Sequence, residues 1–420
     1  MTREKLLKNF NFDKCLSCLF VFILPLKQEW STIFLVFWVF YSILTIKRKS
    51  LSKQYYYFIP IIIFLIYYFS FLWDNASFEF KQIESKLSLV AFPLIFFIKE
   101  EKILDFYPKV FKYFIFGCCI ASLICFFYAF SNSLILIDQK IVFKPNILEG
   151  YSFFESITQG DNYFFSTPFS IFHQTVYFAT QICIAITMLT YFPFKKKTIN
   201  VAVGSLLILS LVLISNRANF IIFIIITPVI CYKLIKSKKQ LILVFLLFIS
   251  SFFILSKVNP RFQSLFSEVK QGVTINADAR YGSSLRILSW DASLEIIKDN
   301  FWLGVGFKNA QQELNDVYLK KEYYWPLKWN LNAHNQYLQI WIETGLVGFA
   351  FLLLSFLVLV IKIHKAQDTN HKFFLITILI IVIINFLFES FLNRYSGITL
   401  YTFIFCICCM LTIKKNRIEG

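Results

Sequence analysis

Charge is what this chain has least of. Only 16% of its 420 residues are charged, while 57% are hydrophobic. A soluble domain cannot hide that much apolar surface, so the composition excludes one and implies a polytopic membrane protein. Acidic residues are scarcest, with 25 Asp and Glu against 42 Lys and Arg. The net charge of +17 would suggest nucleic acid if the cations were clustered. They instead sit in short loops between apolar runs, which makes them a topology signal and leaves nucleic acid without a site. Cysteine is absent from the long polar loop. All ten cysteines lie in or beside apolar runs, which argues against a disulfide framework or a zinc site. Cys15 and Cys18 form a CxxC without a partner pair, and read as small apolar residues. No small-residue cleavage site follows the basic start Met1–Lys14, so no cleavable signal peptide is expected. Internal repeats, low-complexity linkers and a second soluble domain are lacking too.

What the chain does have is aromatic and aliphatic runs. Its 53 Phe and 21 Tyr suit lipid-facing surfaces and bilayer interfaces. Twelve segments are apolar enough to span a membrane: 12–26, 30–46, 55–73, 83–98, 110–130, 174–193, 199–215, 218–235, 240–256, 337–361, 373–392 and 396–413. The expected architecture is all-α, a single integral membrane domain over 1–420. Placing the N-terminus in the cytoplasm puts 25 of the 42 basic residues in the inside segments, every one of which receives some. Both termini are then cytoplasmic.

Two outside segments are sizeable. The first, 131–173, contains His173. The second, 257–336, is a large periplasmic loop. Within it Leu285, Leu288, Ala292 and Ile296 recur at helical spacing, with Ser283 or Ser284 available as a cap. This helix is expected to lie against the membrane domain.

Three outside arginines stand out. Arg217 lies in a short turn between two apolar helices, where it must snorkel, find an acid or bind an anion. Arg286 is on the loop helix, as a ligand contact or a surface charge. Arg394 follows Glu389 closely enough to pair with it instead of with a ligand. His334 ends the loop just before a helix start, and a lone interfacial histidine is more often structural than functional. His173, His364 and His371 are weaker candidates. Tyr337 and Trp341, read as sharing the helix of His334, suit packing better than sugar stacking. Glu343 falls inside the membrane and needs a partner, with an arginine the expected one.

The pattern Arg286-x3-Trp290, Gly304-x-Gly306, then His334-Asn335-x-Tyr337-Leu338-x4-Glu343-x-Gly345-x2-Gly348 resembles the signature of the O-antigen ligase and O-antigen polymerase superfamily. The Ser215-x-Arg217 turn is similar to that family's earlier outside arginine. The His-Asn-x-Tyr-Leu block is fairly specific, whereas the arginine turn alone is weak. The specific motifs occupy 215–219 and 284–348, while the layout of spans fits over most of the chain. The sequence departs in having Phe301-Trp302-Leu303 where many relatives place Pro before Gly-x-Gly. The resemblance implies a GT-C-like membrane glycosyltransferase that needs no metal or other cofactor. It implies a donor glycan on undecaprenyl diphosphate and an acceptor on lipid A-core or another glycan, at the outer face of a bacterial inner membrane. Its partners would be these substrates and the membrane lipids.

The chemistry agrees. A glycosyl diphosphate has a good leaving group, so catalysis needs stabilisation of charge growing on the diphosphate. Guanidinium groups at Arg217 and Arg286 would supply it. The attacking hydroxyl needs a proton acceptor, and a neutral His334 suits neutral pH. The positive end of the following helix would disfavour imidazolium and keep that base free. The outside loops hold no Asp-rich cluster, in agreement with a metal-free mechanism. Arg394, Glu343 and Tyr337 are supporting residues. A ligase leads, with a polymerase close behind and a protein O-glycosyltransferase third. A lipid-linked glycan flippase or other transporter is the alternative from another class, but neither inverted repeats nor interrupted helices are evident.

Overall fold

The computed structural model describes residues 11–47, 51–70, 84–235, 237–240, 242–243, 246, 250, 277 and 282–412. Apolar runs become helices because hydrocarbon leaves backbone polar groups no other partner. The chain opens with α1 (Phe12–Ile23), α2 (Gln28–Leu44), α3 (Phe58–Ser70, after a 3-10 turn at Tyr55–Tyr57) and α4 (Ser88–Ser133). Strands β1 (Leu134–Ile137) and β2 (Lys140–Phe143) and the short helices α5 (Phe153–Gln159) and α6 (Ser166–Phe169) follow. Next come α7 (Thr175–Tyr191), α8 (Lys197–Ile214) and α9 (Arg217–Leu234). The loop contributes α10 (Ser283–Asp299), α11 (Ala310–Lys320) and α12 (Tyr324–Lys328). The chain closes with α13 (Gln336–Lys365), α14 (Thr369–Phe388) and α15 (Tyr395–Met410). Among the described residues, α4, α8, α9, α13 and α14 are long and apolar enough to cross a membrane. Helices α2, α3, α7 and α15 are apolar but shorter. The expected span at 240–256 falls mostly outside the described residues.

Helix α4 merges two expected spans into one helical run, yet it does not run straight. Phe92 packs on Phe20 of α1 with ring centroids 5.2 Å apart. Gly117 meets the backbone of Phe22, so close that a Cβ there would lie 2.3 Å from the Phe22 oxygen. Residues 92 and 117 thus sit level on α1, whereas a straight helix would hold them about 37 Å apart. The run doubles back between them. Lys102, 3.2 Å from Asp13 at the start of α1, marks the turn, and Pro108 lies inside it.

The fold is not wholly helical. β1 and β2 form an antiparallel hairpin in the 131–173 segment, pairing Leu134 with Phe143 and Ile137 with Lys140. Asp138 and Gln139 turn it with φ of 47° and 65°, the left-handed pair that a two-residue hairpin requires. The alternating pattern there is short and apolar on both faces, so it reads as a continuation of the preceding span.

The long loop has a small core of its own. Leu288, Ala292 and Ile296 of α10 meet Leu314 and Tyr318 of α11, and this cluster extends to Ile342 of α13. The expected stripe is therefore the packed face. The cap differs from expectation: Gly282 occupies the N-cap position and makes no side-chain cap, and Ser283 already belongs to the helix. Lys321 bridges Asp291 at 2.6 Å and Glu295 at 2.8 Å, and Lys320 reaches Glu295 at 2.8 Å. The Lys320 and Lys321 contacts pull the Glu295 carboxyl down to about 2.

Candidate active site

A backbone clasp joins this loop to α13. Gly345 breaks the helix with φ 66° and ψ −163°. The break frees the Ile342 carbonyl to accept from Val305 N–H at 2.8 Å, and Leu346 N–H to donate to the Phe301 carbonyl at 3.0 Å. The indole of Trp341 donates to the same carbonyl at 3.0 Å. Both glycines are required. A Cβ on Gly304 (φ 68°) would lie 2.4 Å from the Ile342 oxygen, and one on Gly345 would lie 2.2 Å from the Trp302 oxygen. Phe301-Trp302-Leu303 thus supplies clasp contacts.

His334 sits at the head of α13 but not on it. Asn335 caps the helix, accepting from Tyr337 N–H at 2.9 Å and Leu338 N–H at 3.2 Å. His334 precedes the cap in the left-handed conformation, with φ 44°. Its orientation therefore comes from the turn, not from the face shared by Tyr337 and Trp341. The turn is held by the Asn332 side chain, which accepts His334 N–H at 2.9 Å.

The imidazole faces a carboxylate that sequence reasoning assigned elsewhere. His334 Nδ1 lies 3.5 Å from Glu389 Oε2, and the two side chains are only 27% and 13% exposed. At that distance the contact is an approach within ion-pair range, longer than a formed hydrogen bond. Burial would raise the Glu389 carboxyl. The His334 contact and the charges of His334, Arg286 and Arg394 outweigh it and hold the group below its ordinary value. Arg394, for which pairing with Glu389 and a ligand role were both open, acts on Glu389 from longer range and is itself exposed. The one clue in sequence was an acid closing a long apolar span.

Arg286 enters from the loop, where α10 is clasped to α13, and its charge reaches Glu389. Arg217 is the first residue of α9, half-buried, following the left-handed Ser215 (φ 51°). Two residues on, Asn219 Nδ2 donates to Asn385 Oδ1 of α14 at 3.3 Å, and Thr180 donates to the same atom at 3.0 Å. This knot brings the start of α9 to the end of α14, one turn before Glu389. Tyr337 is structural. Its hydroxyl donates to the Ile383 carbonyl at 3.2 Å and its ring packs on Phe356 and Phe386. Among the described residues, no arginine forms an ion pair with Glu343, where an arginine was the expected partner. Gln339 donates to it at 2.8 Å, and the nearby cation is Lys86, a residue the sequence did not single out. His173 is taken up by the Leu24 carbonyl at 3.0 Å and Ser396 at 3.2 Å, while His371 meets Tyr107 at 2.9 Å.

Beside this group lies a polar cavity of 380 Å³ lined by Arg394, Gln174, His173 and Tyr177. Gln28, Ser85 and Tyr395 also line an apolar groove of 590 Å³ between α2 and the start of α4, so the two are adjacent. The arrangement offers an oriented imidazole, several cations and an apolar surface at one end of a helical bundle.

Residues 202–353 match the family model described as O-antigen ligase. Over that stretch the chain is similar to the O-antigen ligase family. No curated protein matches the chain. The matched stretch takes in Arg217, Arg286, His334, Glu343 and the Gly304–Gly345 clasp. Lys86, Glu389 and Arg394 lie outside it, although Glu389 faces His334 and the charge of Lys86 acts on Glu343 within it. All ten cysteines of the membrane domain are free thiols.

Proposed function

We propose that this protein is a membrane glycosyltransferase of the ligase type. It moves a glycan from undecaprenyl diphosphate to lipid A-core at the periplasmic face of an inner membrane. In this reading the chain makes twelve spans with both termini cytoplasmic, and residues 257–336 form the periplasmic loop. The observation that carries it is the His334–Glu389 pair beneath the charges of Arg286 and Arg394, at the head of α13 in the matched stretch.

Glu389 against Nδ1 favours the tautomer that leaves Nε2 as the proton acceptor. The acceptor hydroxyl attacks the anomeric carbon as the bond from that carbon to the diphosphate oxygen breaks. The proton passes to Nε2, and Glu389 offsets the charge of the imidazolium formed. Arg217 and Arg286 take up the charge growing on the departing diphosphate, where a guanidinium fork matches the oxygen geometry. The polyprenyl tail lies in the apolar groove beside Arg394. Charges gathered at one end of the bundle favour transfer over transport, which would ask for charged groups near mid-depth. A polymerase would use the same donor half; ligase is preferred because the matched family carries that description.

The test is transfer by the purified protein in lipid, with undecaprenyl-diphosphate glycan as donor and lipid A-core as acceptor. Wild type should form the conjugate and His334→Ala should not. Conjugate formation by His334→Ala at the wild-type rate would sink the base assignment, and none by wild type would sink the ligase reading.

A further inference from the structure

Lys86 lies two residues before α4 and is 1% exposed. Its ammonium donates to the Leu392 carbonyl at 2.9 Å. It also stands 3.8 Å from the centroid of the Tyr67 ring and 4.3 Å from that of Phe307. Its charge acts on Glu343, and the Tyr67 hydroxyl lies on the side of that same carboxylate. Tyr67 and Glu343 are each 1% exposed. Helix α3, the approach to α4, the loop after the clasp and α13 thus converge on one buried ammonium, one buried carboxyl and the Tyr67 ring against the ammonium. Such a pair is costly to desolvate, and removing one partner is far more damaging than removing both.

The pair is wired to the turn that presents His334. Glu343 Oε1 accepts from Gln339 Nε2 at 2.8 Å. That fixes the Gln339 amide, whose Oε1 accepts from Ala333 N–H at 3.0 Å. Ser390 Oγ lies 3.4 Å from the same oxygen and 3.2 Å from Asn332 Oδ1, the atom that accepts His334 N–H. Both residues before His334 are therefore held by a chain beginning at Lys86. A non-glycine residue at φ 44° is strained and persists only where its surroundings hold it. Ser390 adjoins Glu389, so the same chain fixes the carboxylate facing the imidazole.

We propose that Lys86 is a positioning residue for glycan transfer. Through Tyr67 and Glu343 its charge sets the Gln339 amide that locks the Asn332–His334 turn and aims the imidazole at the acceptor hydroxyl. This rests on His334 being the base.

The experiment compares full-length wild type, Lys86→Met, Glu343→Gln and the double variant, purified in lipid. Steady-state transfer is read alongside hydrogen exchange over residues 330–340. Lys86→Met should lower kcat about 10–100-fold with donor KM changed less than about 3-fold, as expected when geometry rather than binding is lost. Exchange at Ala333 should accelerate in step. The double variant, holding no uncompensated buried charge, should recover at least about 10-fold of the lost kcat. Should Lys86→Met fail to insert, the neutral double variant against Glu343→Gln alone carries the comparison: the double, which strands no buried ammonium, should be the faster of the two, and equal or slower turnover in the double overturns the proposal. Wild-type kcat in Lys86→Met, unchanged Ala333 exchange, or an effect confined to KM overturns the proposal. His334→Ala is assayed in parallel. Its full activity removes the base assignment, while exchange at Ala333 still judges whether Lys86 holds the turn.

Discussion

Replacing Gly345 with alanine should uncouple the loop from α13. The residue sits at φ 66° and ψ −163°, a region nearly confined to glycine, where an L side chain costs about 1–3 kcal/mol. The new Cβ would also lie 2.2 Å from the Trp302 oxygen and 2.4 Å from Leu303 nitrogen, both backbone atoms that cannot swing aside. Relieving the overlap breaks the Val305–Ile342 and Leu346–Phe301 bonds, each of which contributes about 0.5–1.5 kcal/mol. The total is about 2–6 kcal/mol. Gly150 provides the control. Its φ is 89° and a Cβ there meets nothing within 4 Å, so Gly150→Ala carries only the backbone cost. Both variants would be purified in lipid and compared by thermal unfolding and by transfer. Gly345→Ala should unfold at the lower temperature and lose transfer by at least about 10-fold relative to Gly150→Ala, because Arg286 rides on the loop that the clasp holds. Gly304→Ala should do likewise, and the two should combine less than additively since they break one clasp. Equal melting and equal turnover for Gly345→Ala and Gly150→Ala would refute the reasoning.

Other outcomes follow from the same geometry. Glu389→Gln should lower kcat by about 10–100-fold at nearly constant donor KM, since the imidazolium loses its counter-charge only as the proton is transferred; a change in KM alone would contradict this. Arg286→Lys should not restore the activity lost in Arg286→Ala, because an ammonium cannot make the bidentate diphosphate contact, and near-normal turnover would reduce Arg286 to a point charge. In acid, the α10–α11 clamp should weaken. Glu295 has a depressed folded value, so its stabilisation is complete above the ordinary glutamate value of about 4.3 and lost as pH falls toward about 2. Limited proteolysis of the loop across that window checks it, and Glu295→Gln should flatten the dependence.

Much of this fold was legible in sequence because its strongest signal is local. Apolar runs at 199–215 and 218–235 became α8 and α9 within two residues of their expected starts. The stripe Leu288, Ala292 and Ile296 gave the buried face of α10. His334, Arg217 and Arg286 were singled out by motif and boundary position, and the glycines Gly304 of Gly304-x-Gly306 and Gly345 of Glu343-x-Gly345 form the two halves of one clasp. What stayed hidden was pairing between distant segments. Nothing near Glu343 in sequence announces Lys86, since the two meet only when α3, α4 and α13 pack around Tyr67. Glu389 looked like the partner of nearby Arg394, but the extended backbone after α14 turns it toward His334 instead. The reversal inside α4 and the hairpin β1–β2 were hidden for a similar reason. Hydrophobicity marks a segment as apolar but does not say where it folds back or which strand it pairs with.

The central claim is glycan transfer by His334. The most direct measurement is a lipopolysaccharide gel, with a parallel assay of undecaprenyl-linked glycan, in cells lacking this gene and complemented with wild type or His334→Ala. The account predicts bare core and accumulated long lipid-linked chains without the gene, restored by wild type and not by an inserted His334→Ala protein. Core bearing single repeat units with no long chains on the carrier would make the protein a polymerase. An unchanged pattern, or full rescue by His334→Ala, would contradict the account.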